Sequence, residues 1–170
     1  MKHYVKKHRY VPLWVLVNYL TIGDLSRMYA MLQKSEKNAI AKYYSTQYKD
    51  QYHVDDGPKI TSADMTGALK AIVFIRNICA HDEILYDIKF QKMLPITNLK
   101  KYFDYHQCDN RKLVVLILYF KMLLNKRYFK QFYSGLIRLF KKYRKAFKVI
   151  DFDIVLDAMG VDESELEKLL

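Results

Sequence analysis

The run LVVLILYF, Leu113–Phe120, limits the folds open to this chain more than any other stretch. Asp109 or Asn110 can cap a helix just ahead of it, and the apolar character carries on to Leu124. A helix over Arg111 to Leu124 is apolar on nearly every side, so it must sit at the centre of a helical assembly. The run is far shorter than the ~20 residues that span a bilayer, so protein rather than lipid has to cover it.

The other stretches supply the cover. Gly and Pro together fill only eight positions, which speaks against a turn-dense all-β fold. Pro12 suits the first turn of a helix over LWVLVNYL, and TIGD interrupts it at Gly23. Asp24 is placed to cap a second helix, LSRMYAMLQ. Ser35 is placed to cap a third, EKNAIAKYYSTQY, which fades into the loop KDQYHVDDGPK. Thr61 or Ser62 opens a fourth, in which Ala68, Ile72, Ile75 and Cys79 recur at helical spacing. From Tyr86 to about Gln107, with Pro95 inside, the period breaks and an irregular excursion is expected. After a turn at NKR, an amphipathic helix is predicted from about Tyr128 to Phe147, with Phe132, Leu136, Leu139, Phe140 and Tyr143 facing inward. Two short helices close the chain, DIVLDAM stopped by Gly160 and then ESELEKLL. There is no internal repeat and no convincing strand. The expected fold is all-α, an up-and-down helical bundle with short C-terminal helices, in one domain over residues 1–170.

Charge narrows the partner. Lys and Arg outnumber Asp and Glu by 29 to 18, a formal net charge of +11. The excess is local. Residues 100–148 hold 14 Lys/Arg against Asp104 and Asp109, residues 1–10 form a basic lead-in, and residues 151–170 carry seven acids against one lysine. Such a segment calls for a polyanion, nucleic acid first. The helix NKRYFKQFYSGLIRLFKKYRKAFK interleaves aromatics with cations, as RNA-binding surfaces do. Its aromatics read as core. Lys126, Arg127, Lys130, Arg138, Lys141, Lys142, Arg144 and Lys145 are the expected RNA contacts, with NKR and KKYRK foremost.

Cys79 and Cys108 form neither a metal nor a disulfide framework and read as buried thiols of a reducing cytoplasm. The basic N-terminus imitates a signal peptide, but VPLWVLVNYL contains Pro and Asn, and no small-residue cleavage site follows. A cytoplasmic protein without a membrane partner is expected. Trp14 reads as a core anchor, His3 and His8 as solvated, and His53 and His106 as loop residues with no metal partner. No metal or other cofactor is called for.

The fourth predicted helix ends on RNICAH, Arg76 to His81. Asn77 and His81 are four apart and stack on one face, whereas Arg76 starts about 140° from His81 and reaches that face only if its side chain wraps around. The residue types suit metal-free RNA cleavage. Histidine titrates near neutral pH and can move the proton of a 2′-hydroxyl or of the leaving oxygen. An arginine fork can hold the phosphate, and asparagine can orient the phosphate or the imidazole. No cluster of carboxylates, His or Cys has the spacing of a two-metal nuclease. The same three residues also suit a plain helix end, where the dipole favours cations and the polar groups meet water. A second copy of the motif, brought by another subunit, would complete a compact site.

RNICAH followed by DEILYD resembles the R-N-x-x-A-H-H signature of the Abi-like, abortive-infection family of bacteria. A second block lies upstream in the matching order. PLWVLVNYLTIGDLSRMYAML is similar to the family's Pro-Leu-Trp stretch, its Gly-containing turn and its Leu-Ser-x-x-Tyr helix. KHYVKKHRY is similar to the lead-in and LDAMG to the closing Met-Gly segment, so the resemblance runs from about His3 to Gly160. The family is grouped with the HEPN superfamily, whose bundles commonly dimerise and pair Arg-x(4–6)-His motifs as a metal-independent RNase site. The resemblance therefore implies a HEPN-like bundle and a homodimer. It implies Arg76 and His81 as catalytic residues, with Asn77 as the polar neighbour. It also implies a toxic, RNA-binding endoribonuclease of phage defence, which in some relatives is restrained by a noncoding RNA in a toxin–antitoxin-like system. Family members usually carry a second histidine where this chain has Asp82, and Arg and Asn where it has Ile84 and Asp87. The alternatives are a non-catalytic RNA-binding or interaction protein of a toxin–antitoxin-like system, in which the motif holds a dimer or a guide RNA, and a DNA-binding regulator. The last reads VNYLTIGDLSRMYAML as helix-turn-helix, with Arg27 and Gln33 as its base readers.

Overall fold

The computed structural model describes residues 2–106 and 109–170, and the fold is all-α with no strand among them. The helices are α1 (Lys2–His8), α2 (Leu13–Leu16) running into a 3-10 turn at Val17–Tyr19, α3 (Ile22–Met31), α4 (Lys34–Tyr52) and α5 (Ser62–Ala80). After them come α6 (Thr97–Tyr102), α7 (Val114–Leu123), α8 (Lys126–Ala146), α9 (Phe152–Met159) and α10 (Glu163–Glu167).

The apolar run forms α7, and eight of its ten residues are buried. It packs against α4, α5 and α8, while α5 also packs on α3 and α4. The core is one contiguous cluster from Tyr29 to Leu169. Each fully buried Leu, Ile or Val in it stabilises the fold by roughly 1.5–3 kcal/mol before the entropy of ordering is subtracted.

Reciprocal capping sets where the helices begin, and it moves three of the expected boundaries. Thr21, not Asp24, caps α3: Asp24 N–H donates to Thr21 Oγ1 at 3.2 Å, and Asp24 Oδ2 accepts from Thr21 N–H at 3.1 Å. Gly23 therefore lies inside the first turn rather than breaking a helix. Gln33 caps α4 with Glu36 returning the bond, so Ser35 is already helical. Asn125 caps α8 by accepting from Tyr128 N–H at 2.9 Å, so NKR is the cap and first residues of α8 rather than a turn ahead of it. At α5 the expected Thr61 cap is found, paired with Asp64. Neither Asp109 nor Asn110 caps α7, whose N-cap is Leu113.

Burial brings further corrections. The excursion after Tyr86 contains α6 and contributes Ile88, Phe90, Leu94, Ile96 and Leu99 to the core. It is tied down by Phe90 N–H to Arg111 O at 2.7 Å and Leu94 N–H to Asn110 O at 3.1 Å. Gln107, its expected end, and Cys108 lie outside the described residues. Trp14 is 68% exposed, because α2 is a single turn that buries only Val15. Cys79 is exposed too, since α5 runs past its last buried residue, Ile78. On α8 the buried side chains are Phe129, Tyr133 and Phe140. Leu139 and Tyr143 are exposed and border an apolar cleft of about 400 Å³ between α7, α8 and α9, so the expected inner stripe is rotated. No helix among the described residues is long and apolar enough to cross a membrane.

Candidate active site at the end of α5

α5 begins on a buried capping box and ends at the surface. Asp64 Oδ2 accepts from Thr61 N–H at 2.8 Å and from Thr61 Oγ1 at 2.6 Å, and the carboxylate is 2% exposed. Gly67, Ala68 and Ala71 let the helix approach its neighbours closely, and all three are buried. Gly67 is required there, because a Cβ would run into the Tyr119 hydroxyl and come within 2.8 Å of Pro95 Cδ.

The C-terminal turn carries the motif to the surface. Arg76, Asn77 and His81 are all exposed. Arg76 Nη1 donates to Asn77 Oδ1 at 3.0 Å, so the guanidinium does wrap around the helix from its starting direction. Asn77 and His81 are one turn apart, and His81 N–H donates to Asn77 O at 3.1 Å. One copy of the chain thus gathers Arg76 and Asn77 beside the turn that bears His81.

The helix stops in a Schellman turn. His81 is the C-cap, Asp82 takes the left-handed conformation at φ 53, and Glu83 N–H reaches back to Ile78 O at 3.1 Å. Asp tolerates that conformation better than most residues, and His shares the tolerance. Asp82 therefore has a backbone role in the position next to His81.

Spacing also reveals a residue that the motif alone does not include. Ala63, Lys70, Asn77 and His81 are exposed at intervals of seven, seven and four, which aligns them on one face of α5. Lys70 brings a cation to that face two turns before Asn77. Its signal in the sequence was the seven-residue interval.

The pattern that defines the family described as Abi-like protein matches residues 1–87. The chain belongs to the Abi-like family. The match takes in α1 to α5 and the whole of RNICAH, and it ends at Asp87, short of the LDAMG segment and of α7 and α8. No curated protein and no solved structure matches this Abi-like chain. The family places it in the general setting of abortive infection.

The cations of α8 are arranged less uniformly than their spacing suggests. Arg127, Lys130, Arg138, Lys141, Lys142, Arg144 and Lys145 are exposed and Lys126 is half-buried. Arg144 is already engaged: its Nη1 lies 2.7 Å from Asp153 and its Nη2 2.6 Å from Glu163. These acids, helped by hydrogen bonding to Asp153 above all, push the guanidinium still further above its ordinary range. The acidic C-terminal helices of this Abi-like protein thus neutralise part of its basic helix. Among the described residues no group of three or more His, Cys, Asp or Glu could hold a metal ion.

Proposed function

We propose that this protein is an RNA-binding, metal-independent endoribonuclease of phage defence. Arg76, Asn77 and His81 form half of the site, and a second copy of the chain supplies the other half. The observation that carries the reading is the Arg76–Asn77 hydrogen bond at an exposed helix end one turn from His81, in a chain of the Abi-like family. His81 moves the proton of the 2′-hydroxyl or of the leaving oxygen, Arg76 holds the scissile phosphate, and Asn77 fixes Arg76. Because the half-site lies open on the surface, two copies facing each other would enclose an RNA strand that one cannot. Exposed Ile84 and Tyr86, just beyond the motif, offer apolar area for that contact.

The test is RNA cleavage in EDTA with analysis of the product ends. The expected result is 2′,3′-cyclic phosphate termini, lost in His81→Ala while RNA affinity stays. Unchanged cleavage and unchanged toxicity in both His81→Ala and Arg76→Ala would sink the nuclease reading. The cations of α8 favour a second reading, a non-catalytic RNA-binding protein that uses half-buried Lys126 and exposed Arg127, Lys130, Arg138, Lys141, Lys142 and Lys145. In that case RNA co-purifies with the protein and charge reversal at Lys141, Lys142 and Lys145 abolishes it, with no cleavage under any condition.

A further inference from the structure

Hydrogen-bond donors and cations gather where α4, α7 and α8 meet. Lys121 is the one cation in α7 and is only 3% exposed. Its Nζ lies 4.0 Å from the centroid of the Tyr52 ring and 4.8 Å from that of Phe129, in the first turns of α8. Lys126 Nζ lies 5.2 Å from the same Tyr52 ring. Lys130 follows Lys126 by four residues and so projects from the same side of α8. The Tyr52 hydroxyl is buried and has no hydrogen-bond partner among the described residues. None of the ion pairs among the described residues includes Lys121, Lys126 or Lys130. The two neighbouring acceptors are taken by backbone, Gln51 Oε1 by Lys126 N–H and Asn125 Oδ1 by Tyr128 N–H, each at 2.9 Å.

Magnitudes show that the rings do not make up for the burial. An ammonium over an aromatic face gains about 0.5–2 kcal/mol, whereas taking an ion out of water costs several. In agreement, burial first, then the charges of Lys126 and Lys130, push Lys121 down to about 8. The ammonium is therefore a buried cation that no carboxylate among the described residues pairs with. The amides at the start of α8 contribute little, since three of them already donate within the protein.

We propose that Lys121, Lys126 and Lys130, together with the Tyr52 hydroxyl, form a phosphate-binding site at the junction of α4, α7 and α8. The phosphate oxygens would accept from the three ammonium groups and from the phenol. The proposal deepens the RNA reading and rests on it only for the source of the phosphate, because free phosphate and an RNA phosphate present the same oxygens.

The experiment titrates inorganic phosphate and two eight-nucleotide RNAs into the full chain, one RNA ending in a 5′-monophosphate and the other in a 5′-hydroxyl. Wild type, Lys121→Met and Tyr52→Phe are compared, with the fold checked by circular dichroism. Saturable phosphate binding is expected, weakened about tenfold in Lys121→Met and several-fold in Tyr52→Phe. Preference for the 5′-monophosphate that disappears in Lys121→Met assigns the site to an RNA end. Equal weakening of both RNAs assigns it to backbone phosphate, and weakening for inorganic phosphate alone assigns it to the free ion. Equal affinities for every ligand in wild type and Lys121→Met overturn the proposal. Should Lys121→Met not fold, unchanged affinities in Tyr52→Phe overturn it instead. RNA cleavage is not read here, so failure of the nuclease reading leaves the outcome intact.

Discussion

Arg76 Nη1 lies 3.0 Å from Asn77 Oδ1, although the two residues leave α5 in directions about 100° apart. The bond draws the guanidinium toward the side of the helix that bears His81. If Asn77 acts by fixing Arg76, Asn77→Ala lowers the single-turnover rate of RNA cleavage by about tenfold, and His81→Ala lowers it by at least about a hundredfold. Equal rates in wild type and Asn77→Ala would remove the positioning role.

Gly67→Ala has the opposite sign from the usual helix substitution. In an open helix the change stabilises by about 1 kcal/mol. Here the added Cβ meets the Tyr119 hydroxyl and the Pro95 ring, so the contact between α5 and α7 must spread. A loss of about 2 kcal/mol is expected, visible as a thermal midpoint several degrees lower. A midpoint at or above wild type would contradict the packing described.

Asp64 completes the capping box of α5, receiving two bonds from Thr61 while almost wholly buried. Asp64→Ala leaves the Thr61 N–H and hydroxyl without their acceptor, and about 2–3 kcal/mol should be lost in urea unfolding. Asp64→Asn keeps an acceptor oxygen and should lose less than half as much. Equal losses in the two variants would mean that the cap is not the source of the effect.

Lys121 gives the protein an unusual alkaline profile. The folded-state amine releases its proton near pH 8, the unfolded one near 10.5, so between these values the unfolded chain holds more protons. Stability contributed by this group therefore rises as pH climbs from about 8, and is lowest below 8. The groups facing it are Lys126 and Lys130 on α8 and Tyr52 on α4, whose phenol burial pushes up to about 12, above the window. In phosphate-free buffer, Lys121→Met should be more stable than wild type at pH 7, by a figure on the order of 1–3 kcal/mol, and should lack the rise. Urea midpoints at pH 7, 8 and 9 decide it: parallel trends for the two proteins would refute the assignment.

Arg144 should contribute less to RNA binding than its neighbours, since Asp153 and Glu163 already hold it. Lys141→Ala is expected to reduce the salt dependence of RNA affinity by about one unit of slope, and Arg144→Ala to leave it almost unchanged. The pair Asp153→Asn and Glu163→Gln releases the guanidinium and steepens the slope by about one. A flatter slope in that double variant would rule out competition between the acidic helices and RNA.

The helices of this chain were readable where one residue type decides the structure. The run at Leu113–Phe120 dictates a central helix, Thr61 caps α5, and Gly160 ends α9 with φ at 72. Boundaries that depend on two residues acting together were less accessible. Thr21 with Asp24, and Gln33 with Glu36, each offer several candidate caps, and only the reciprocal bond selects one. Burial was hardest to read. Trp14 and Cys79 have core-type side chains, yet Trp14 sits on a single turn that buries only Val15 and Cys79 lies past the last buried residue of α5. Of the candidate site, the helix end and the shared face of Asn77 and His81 were legible. The path of the Arg76 side chain was not, because it depends on rotamers rather than on helical angle. Lys121 was hidden for the converse reason. A single lysine in an apolar run looks like noise until Tyr52 and Phe129 are seen against it.

The 21 residues of α8 make a rod about 31 Å long. Cations spaced along that rod meet the phosphates of a strand in turn, so affinity grows with strand length until the rod is covered. Taken as the RNA surface proposed above, α8 is a ruler: strands long enough to cover it saturate one protomer, shorter ones lose affinity with each nucleotide removed, and longer ones gain only by reaching a second protomer.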